Sequence, residues 1–128
     1  MPGMEAESAL VDRWHTLLSS YNEVAVHLER ALQDEHGLTM SDFETLDRLT
    51  TRDCDKRRMQ ELAAAMYLSQ SALSRTVARL EKSGLVARTH CVDDRRGVFV
   101  ELTADGLHKH AEARKTHLAV LTERLAPA

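Results

Sequence analysis

Apolar residues recur every three or four positions through the first third of the chain, at Val11, Trp14, Leu18, Tyr21, Ala25, Leu28 and Leu32. This spacing predicts one long amphipathic helix over residues 8–36. The helix is expected to end at His36 because Gly37 suits the left-handed conformation that follows a helix. About 25 helical residues extend roughly 38 Å, which is longer than so small a domain can cover by itself. The pattern therefore predicts that a partner chain covers the apolar stripe.

A second and a third helix are predicted next. The spacing of Ser41 and Glu44 predicts a capping box, and the residues expected to face inward are Phe43, Leu46 and Leu49. Residues 51–57 are polar and show no periodicity, which predicts a loop. The third helix carries four apolar residues, Met59, Leu62, Ala63 and Met66.

The fourth predicted helix has two chemically different faces. Ser69 caps its start and Gly84 ends it. Its apolar side consists of Leu73, Val77 and Leu80. The opposite side is small and cationic and contains no carboxylate. It comprises Ser71, Arg75, Ala78, Arg79 and Lys82, with Ser74 at its edge.

The rest of the chain predicts a hairpin and a last helix. Residues 85–89 and 98–102 are rich in β-branched side chains, and the turn-forming residues 93–97 lie between them. Thr103 caps the last helix, whose apolar positions are Leu107, Ala111, Leu118, Leu121 and Leu125. The predicted fold is mostly α with a small β-wing (α+β), in a single domain over residues 1–128. The terminal helices, 8–36 and 103–126, are expected to dimerise, and residues 41–102 to form a winged helix-turn-helix lobe.

The distribution of charge favours DNA as a partner, although the chain as a whole carries a net charge of −3. Nine basic and four acidic residues lie between Lys56 and Arg96, a net charge of +5, whereas the remainder holds 8 basic and 16 acidic residues. A basic middle in a chain that is otherwise acidic in sum indicates one face that meets a polyanion.

The order of the predicted elements is typical of a helix-turn-helix, in which two short helices and a turn precede a cationic helix. Short hydroxyl side chains suit the approach to base edges, and Arg75 can bind guanine through two parallel hydrogen bonds. Arg79 and Lys82 are better placed for phosphates, and the hairpin arginines for an adjacent minor groove. The candidate DNA contacts are Ser69, Gln70, Ser71, Ser74, Arg75, Arg79, Lys82, Arg95 and Arg96.

Several of these segments resemble the MarR family of bacterial regulators. They are Glu61-Leu62-Ala63, Leu68-Ser69-Gln70-Ser71-Ala72-Leu73-Ser74-Arg75 and Arg79-Leu80-Glu81-Lys82-Ser83-Gly84-Leu85-Val86. The closest resemblance lies in the wing and its exit, Asp93-Asp94-Arg95-Arg96-Gly97-Val98 and Leu102-Thr103-Ala104-Asp105-Gly106. The resemblance covers nearly the whole chain, because these signals follow the family's order and intervals.

The resemblance implies a homodimer held by the first and last helices, with a recognition helix and a wing in each lobe. It implies that Asp94 braces the wing and that Arg96 enters the minor groove of an inverted-repeat operator. It further implies a repressor that a small anionic aromatic effector releases, without a cofactor. The effector is expected between the first helices and the DNA-binding lobe. There Trp14 suits a ring-shaped ligand, His15 can orient its acid group, and Tyr21 is a third candidate or a residue of the dimer core.

A metal- or thiol-responsive regulator of the same fold is an alternative. Four potential ligands crowd the last helix, His108, His110, Glu112 and His117. His108 and His110 point to different sides of a helix, whereas zinc pairs on helices favour spacings of three or four. Solvated histidines are therefore favoured, and no metal site is assigned. Cys54 and Cys91 lack a CxxC spacing and are interpreted as reduced thiols.

An enzyme and an interaction module without DNA binding are the other classes. The chain contains no Gly-rich phosphate loop, nucleophile elbow or HExxH motif, so we do not expect an enzyme. The cations between Arg75 and Arg96 argue against a module that has lost DNA binding. No apolar run approaches the roughly 18 residues of a membrane span. The acidic N-terminus lacks a signal pattern, and a cytoplasmic protein that contacts no membrane is expected.

Overall fold

The computed structural model of the chain describes residues 2–50, 56–66, 68–91 and 94–125, and at residues 2, 56–58, 90–91 and 94–98 it describes the backbone alone. The described elements are helices and short strands in the order α1 (Pro2–His36), α2 (Met40–Thr50), β1 (Lys56–Arg58), α3 (Met59–Met66), α4 (Gln70–Lys82), β2 (Val86–Cys91), β3 (Asp94–Leu102) and α5 (Ala104–Arg124). The predicted architecture of a mostly helical chain with a small β-wing is confirmed.

Helix α1 begins at Pro2, six residues before the predicted start. Proline is favourable in the first turn of a helix because its missing N–H would have no partner there. Glu5 lies in the same turn, where a negative charge complements the helix dipole. The end of the helix agrees with the prediction, since α1 stops at His36 and Gly37 adopts a φ of +67°.

The N-terminus of α2 is capped by a different residue from the one predicted. Thr39 Oγ1 accepts a hydrogen bond from the backbone N–H of Asp42 at 2.9 Å, and Asp42 Oδ2 accepts one from the backbone N–H of Thr39 at 3.0 Å. The capping box is therefore Thr39–Asp42 rather than Ser41–Glu44. Helix α2 consequently starts at Met40, and Ser41 lies within its first turn.

A three-stranded antiparallel sheet forms the wing, in the order β1-β3-β2. Residues 56–58 form β1, and the first two of them belong to the predicted loop 51–57. Arg57 is opposite Val100 of β3. This part of the loop prediction is wrong because the strand exists through pairing with residues more than 40 positions away, which local periodicity cannot reveal. Residues 51–55 lie outside the described part of the chain. Strands β2 and β3 also extend further toward the hairpin tip than predicted.

Helix α2 lies at the centre of the described fold and packs against α1, α3, α4, α5 and β3. Phe43, Leu46 and Leu49 are buried there, as predicted. They join residues from each neighbouring helix, including Leu32, Leu62, Leu73, Val77, Leu80 and Ala113. Fully burying a leucine contributes about 1.5–3 kcal/mol, so this cluster is the main source of stability in the lobe.

Two histidines of α5 pack on the ring of Phe43 instead of being solvated. The ring of His110 stacks on that of Phe43 at a centroid distance of 5.5 Å, and the ring of His117 does so at 4.4 Å. His110 is 8% exposed, and its Nε2 lies 2.8 Å from Asp47 Oδ1. The expectation of solvated histidines is therefore wrong for this pair, because two residues of α2 supply an aromatic surface and a carboxylate.

Much of α1 is exposed in the single chain. Val11, Trp14 and Tyr21 are 51%, 58% and 62% exposed, whereas Leu28 and Leu32 on the same stripe are buried. On α5 the predicted apolar positions Leu107, Leu118 and Leu125 are likewise exposed, and the side that packs inward carries Gly106, His110 and Ala113. No helix among the described residues is both long and apolar enough to cross a bilayer.

A compact junction joins the end of α4, the wing and the start of α5. Gly84 adopts a φ of +79°, which ends α4, and the Leu85 N–H donates to the Leu80 carbonyl at 2.9 Å. The Thr103 N–H donates to the Leu85 carbonyl at 3.1 Å, and the Thr103 hydroxyl donates to the Gly84 carbonyl at 2.7 Å. Gly106 then packs directly against the Leu85 carbonyl oxygen, where a Cβ atom would overlap it.

We expect Gly106→Ala to destabilise the protein by about 1–3 kcal/mol through overpacking. Helix propensity alone predicts the opposite sign, because alanine is favoured over glycine in a helix by about 1 kcal/mol. Gly3→Ala in α1 is the matched control, since nothing lies within 4 Å of a Cβ there. Thermal unfolding measures both variants. A Gly106→Ala protein as stable as the Gly3→Ala protein would contradict this packing.

Candidate nucleic-acid interface

Helix α4 is held in place by its caps and by one buried side. Ser69 accepts a hydrogen bond from the backbone N–H of Ala72 at 3.1 Å, which confirms the predicted N-cap. Leu73 and Val77 are fully buried and Leu80 is 2% exposed, in agreement with the predicted apolar side. These constraints fix the rotation of the helix, so the residues on its other side face solvent.

The solvent-facing side of α4 carries most of the predicted DNA contacts. Gln70, Ser71, Arg75 and Lys82 are exposed, and Ser74 is half-buried at the edge. Within the described part of the chain, neither Arg75 nor Lys82 forms an ion pair. Both cations therefore face solvent and can reach an external anion.

Arg79 has an internal partner that the sequence prediction missed. Its Nη2 atom donates to Asp42 Oδ1 at 2.9 Å, while the Asp42 side chain is only 9% exposed. The Arg79 side chain is 53% exposed, so part of the guanidinium reaches the surface. The sequence did contain one signal for this carboxylate, the Thr39-x-x-Asp42 spacing of a capping box. In such a box the side chain of the fourth residue bonds back to the backbone of the first, which holds it in place.

Arg88 on β2 is a second cation that sequence analysis did not single out. Its Nε lies 3.5 Å from Oε1 of Glu81, the one carboxylate within the α4 sequence. The pair connects the wing to the recognition helix and partly neutralises Glu81. An exposed pair of this kind contributes at most about 1 kcal/mol to stability, so its main effect is on the local charge.

The wing residues singled out from the sequence are described by their backbone alone. Asp94, Arg95 and Arg96 begin β3, and Cys91 of β2 is opposite Asp94 after an irregularity in the pairing. Their side chains lie outside the described part of the structure, as do the side chain of Cys91 and the whole of Cys54. The predicted brace by Asp94 and the contacts of both arginines stay predictions.

A cleft of about 450 Å³ lies between the long helices and the lobe. Tyr21 lines it, whereas Trp14 and His15 do not and are exposed about two turns earlier on α1. The other lining residues are Leu28, Met40, Ser41, Glu44, Arg48, Ala65, Met66, Leu68, His117 and Leu121. The cleft combines an apolar floor with a guanidinium, an imidazole and a carboxylate. Of the three predicted effector residues, the structure brings only Tyr21 to this cleft.

Potential metal ligands are dispersed in the described part of the chain. No group of three His, Cys, Asp or Glu side chains there is arranged to hold a metal ion. His110 pairs with Asp47, His117 lies 3.6 Å from Glu44, and His36 Nε2 lies 2.7 Å from Thr116 Oγ1. These separate contacts stabilise helix packing.

The arrangement of α2, α3, α4 and the sheet defines a winged helix-turn-helix, the architecture of a class of transcriptional regulators. The model of the MarR family matches residues 38–98. AbsC, a MarR family transcriptional regulator from Streptomyces coelicolor, is 37% identical with a TM-score of 0.82, over 88% of this chain and 76% of AbsC. Sco3205 from the same organism, solved in complex with DNA, is 32% identical with a TM-score of 0.84, over 94% of this chain and 74% of Sco3205.

BldR from Sulfolobus solfataricus, a transcriptional regulator, is 28% identical with a TM-score of 0.85, over 94% of this chain and 84% of BldR. The chain therefore belongs to the MarR family, as its sequence motifs predict. These three relatives are transcriptional regulators.

Proposed function

We propose that the protein is a sequence-specific DNA-binding transcriptional regulator that acts as a homodimer on an inverted-repeat operator. The observation that carries the proposal is the exposed cationic side of α4, whose opposite side is locked into the core. The similarity to Sco3205, solved with DNA, supports this assignment.

The orientation of α4 on DNA follows from which of its sides is exposed. The helix lies in the major groove, with three residues toward base edges, Ser71, Ser74 and Arg75. Phosphates are contacted from the two ends of the helix, by Ser69, Gln70 and Lys82. The wing places Arg95 and Arg96 near the minor groove.

Dimerisation follows from the exposed apolar side chains of α1 and α5. Their stripe continues directly from buried Leu28, so a second copy of the chain is the surface that suits it best. We assign dimerisation to residues 8–36 and 103–126 and DNA binding to residues 41–102. Two lobes joined in this way present two α4 helices, which requires two half-sites.

The dimer is tested by sedimentation at micromolar concentration. We expect about twice the chain mass of 14.4 kDa, and half-sites whose centres lie about 10 bp apart in the DNA selected from random sequence. Leu18→Glu places a charge on the stripe and should produce a folded monomer with weak operator binding. A wild-type protein that is monomeric and well folded would contradict the proposal.

Two arginines are expected to contribute differently to DNA recognition. Arg75→Ala should cost about 1–3 kcal/mol on the operator and relax the base preference at one position in each half-site. Arg96→Ala should weaken binding to many sequences together, most strongly those with A·T-rich flanks. Lys115→Ala is the charge-matched control, because Lys115 lies on α5 and pairs with Glu112 of the same helix.

Affinities for the operator and its single-base variants, measured at one salt concentration, distinguish these roles. An equal loss on every sequence for Arg75→Ala would make Arg75 a phosphate contact and would exclude the proposed orientation of α4. A loss for Lys115→Ala equal to that for Arg75→Ala would show that net charge alone governs binding.

We further propose that the regulator is a repressor released by an aromatic carboxylic acid bound in the Tyr21 cleft. The apolar floor suits the ring, and Arg48 and His117 can donate hydrogen bonds to the acid group. The cleft contacts α2 and α3 of the DNA-binding lobe as well as α1 and α5. A ligand there can act on DNA binding if it favours a conformation in which α4 is misaligned.

Salicylate is a suitable probe for this cleft. We expect it to weaken operator binding by the wild-type protein, and Ala65→Phe, which fills the cleft, to abolish the response while keeping DNA binding. Trp14→Phe is the control for the position predicted from the sequence, and it should keep the response. Salicylate-insensitive DNA binding by the wild-type protein would contradict an acid of this class. A response lost only in Trp14→Phe would relocate the site.

A further inference from the structure

Asp42 is a buried carboxylate at the point where three helices approach each other. The residue as a whole is 6% exposed and lies in the first turn of α2. Its Oδ2 atom accepts from the backbone N–H of Thr39 at 3.0 Å, and its Oδ1 atom accepts from Arg79 Nη2 at 2.9 Å. Both carboxylate oxygens are therefore engaged, one by the start of α2 and the other by α4. A buried charge with such partners is strongly oriented, because losing either would leave it poorly compensated.

Arg79 uses one edge of its guanidinium for Asp42 and leaves another toward solvent. Nη2 makes the ion pair, and the side chain as a whole is 53% exposed. A guanidinium presents five N–H donors in a rigid fork, so it can bind two anions at once. Arg79 lies one turn after Arg75 on α4, within the surface proposed to meet DNA.

The surroundings of the pair connect it to the dimerisation helix. A cleft of about 220 Å³ beside it is lined by the C-terminal end of α1, the start of α2 and the end of α4, including Gln33, Gly37 and Ser83. The geometry of the pair thus depends on how α4 sits relative to the end of α1. The ion pair itself joins α2 to α4, and the end of α1 lines the cleft beside it.

We propose that Asp42 is a positioning residue for DNA binding: it orients the Arg79 guanidinium so that its exposed edge binds a backbone phosphate. Asp42 does not itself touch DNA. Because Asp42 already orders the Arg79 guanidinium in the free protein, this side chain loses less conformational entropy when it binds the phosphate. The inference rests on the proposed DNA-binding function and adds one residue to its machinery.

The sign of the effect of Asp42→Asn distinguishes positioning from simple electrostatics. Removing a negative charge close to a polyanion should tighten binding if Asp42 has no positioning role. If Asp42 orients Arg79, operator affinity should instead fall by about tenfold or more, equivalent to about 1.4 kcal/mol. The slope of log affinity against log salt should also become shallower by about 0.9 for each phosphate that is no longer bound, hence by about 2 for a dimer. Asp34→Asn, an exposed carboxylate near the end of α1, is the matched control and should bind like the wild type or slightly tighter.

A double-mutant cycle tests whether the effect passes through Arg79. In an Arg79→Gln background, Asp42→Asn should have almost no further effect on operator affinity or on the salt slope. Additive losses of affinity would overturn the inference, because Asp42 would then act through another group. Thermal unfolding and sedimentation establish that each variant remains a folded dimer.

Arg79→Lys provides the test should Asp42→Asn fail to fold. Lysine keeps the charge for a phosphate but lacks the fork that can bind Asp42 and DNA together. We expect Arg79→Lys to lose most of the affinity that Arg79→Gln loses, and wild-type affinity for Arg79→Lys would overturn the inference.

Wild-type protein that selects no DNA at all would contradict the proposed function itself. Selective binding by the wild type with unchanged or tighter binding by folded Asp42→Asn would overturn the role of Asp42 alone.

Discussion

The rest of the structure depends on the close approach of Gly106 to the Leu85 carbonyl oxygen. Only a residue without a Cβ atom permits this approach, and it brings the first turn of α5 onto the residue that follows α4. Thr103 closes the same junction by bonding both Gly84 and Leu85. The end of the recognition helix, the base of the wing and the start of the last helix are therefore one rigid unit. The start of α5 and the end of α4 are thus connected by backbone hydrogen bonds and direct packing.

Helix α2 provides the second connection between the long helices and the recognition helix. Its acidic side chains contact helices on two sides. Asp42 pairs with Arg79 of α4. Asp47 and Glu44 contact His110 and His117 of α5, respectively. Because Glu44 and His117 also line the Tyr21 cleft, a bound molecule there would act on the same contacts that hold α2 against α5. The cleft also reaches Leu68, which directly precedes the Ser69 N-cap of α4.

The sequence was informative where one element's own residues decide its structure, and it misled where distant parts of the chain pair. The apolar side of α4 and its Ser69 cap follow from local spacing, and each is found as predicted. Strand β1 exists because β3 lies beside it, and a three-residue polar segment carries no signal of its own. Arg79 was predicted only as a phosphate contact, because its carboxylate partner lies 37 positions earlier and local spacing does not reveal it. Trp14 lies about two turns before the cleft that Tyr21 lines, and its role at an effector site stays a prediction.

The separation of charge along the chain explains how an acidic protein can present a surface for DNA. Attraction to phosphates acts over about one Debye length, roughly 8–10 Å at physiological salt. Only charges near the interface therefore contribute strongly, and the cations of α4 lie there. The acidic excess lies in residues 1–55 and mainly in α1, which holds seven acidic and two basic residues. A chain that was basic throughout would bind any DNA along its whole surface, since that attraction is independent of sequence. Confining the cations to one lobe makes correct docking of α4 the condition for binding, and base contacts can then determine which DNA is bound.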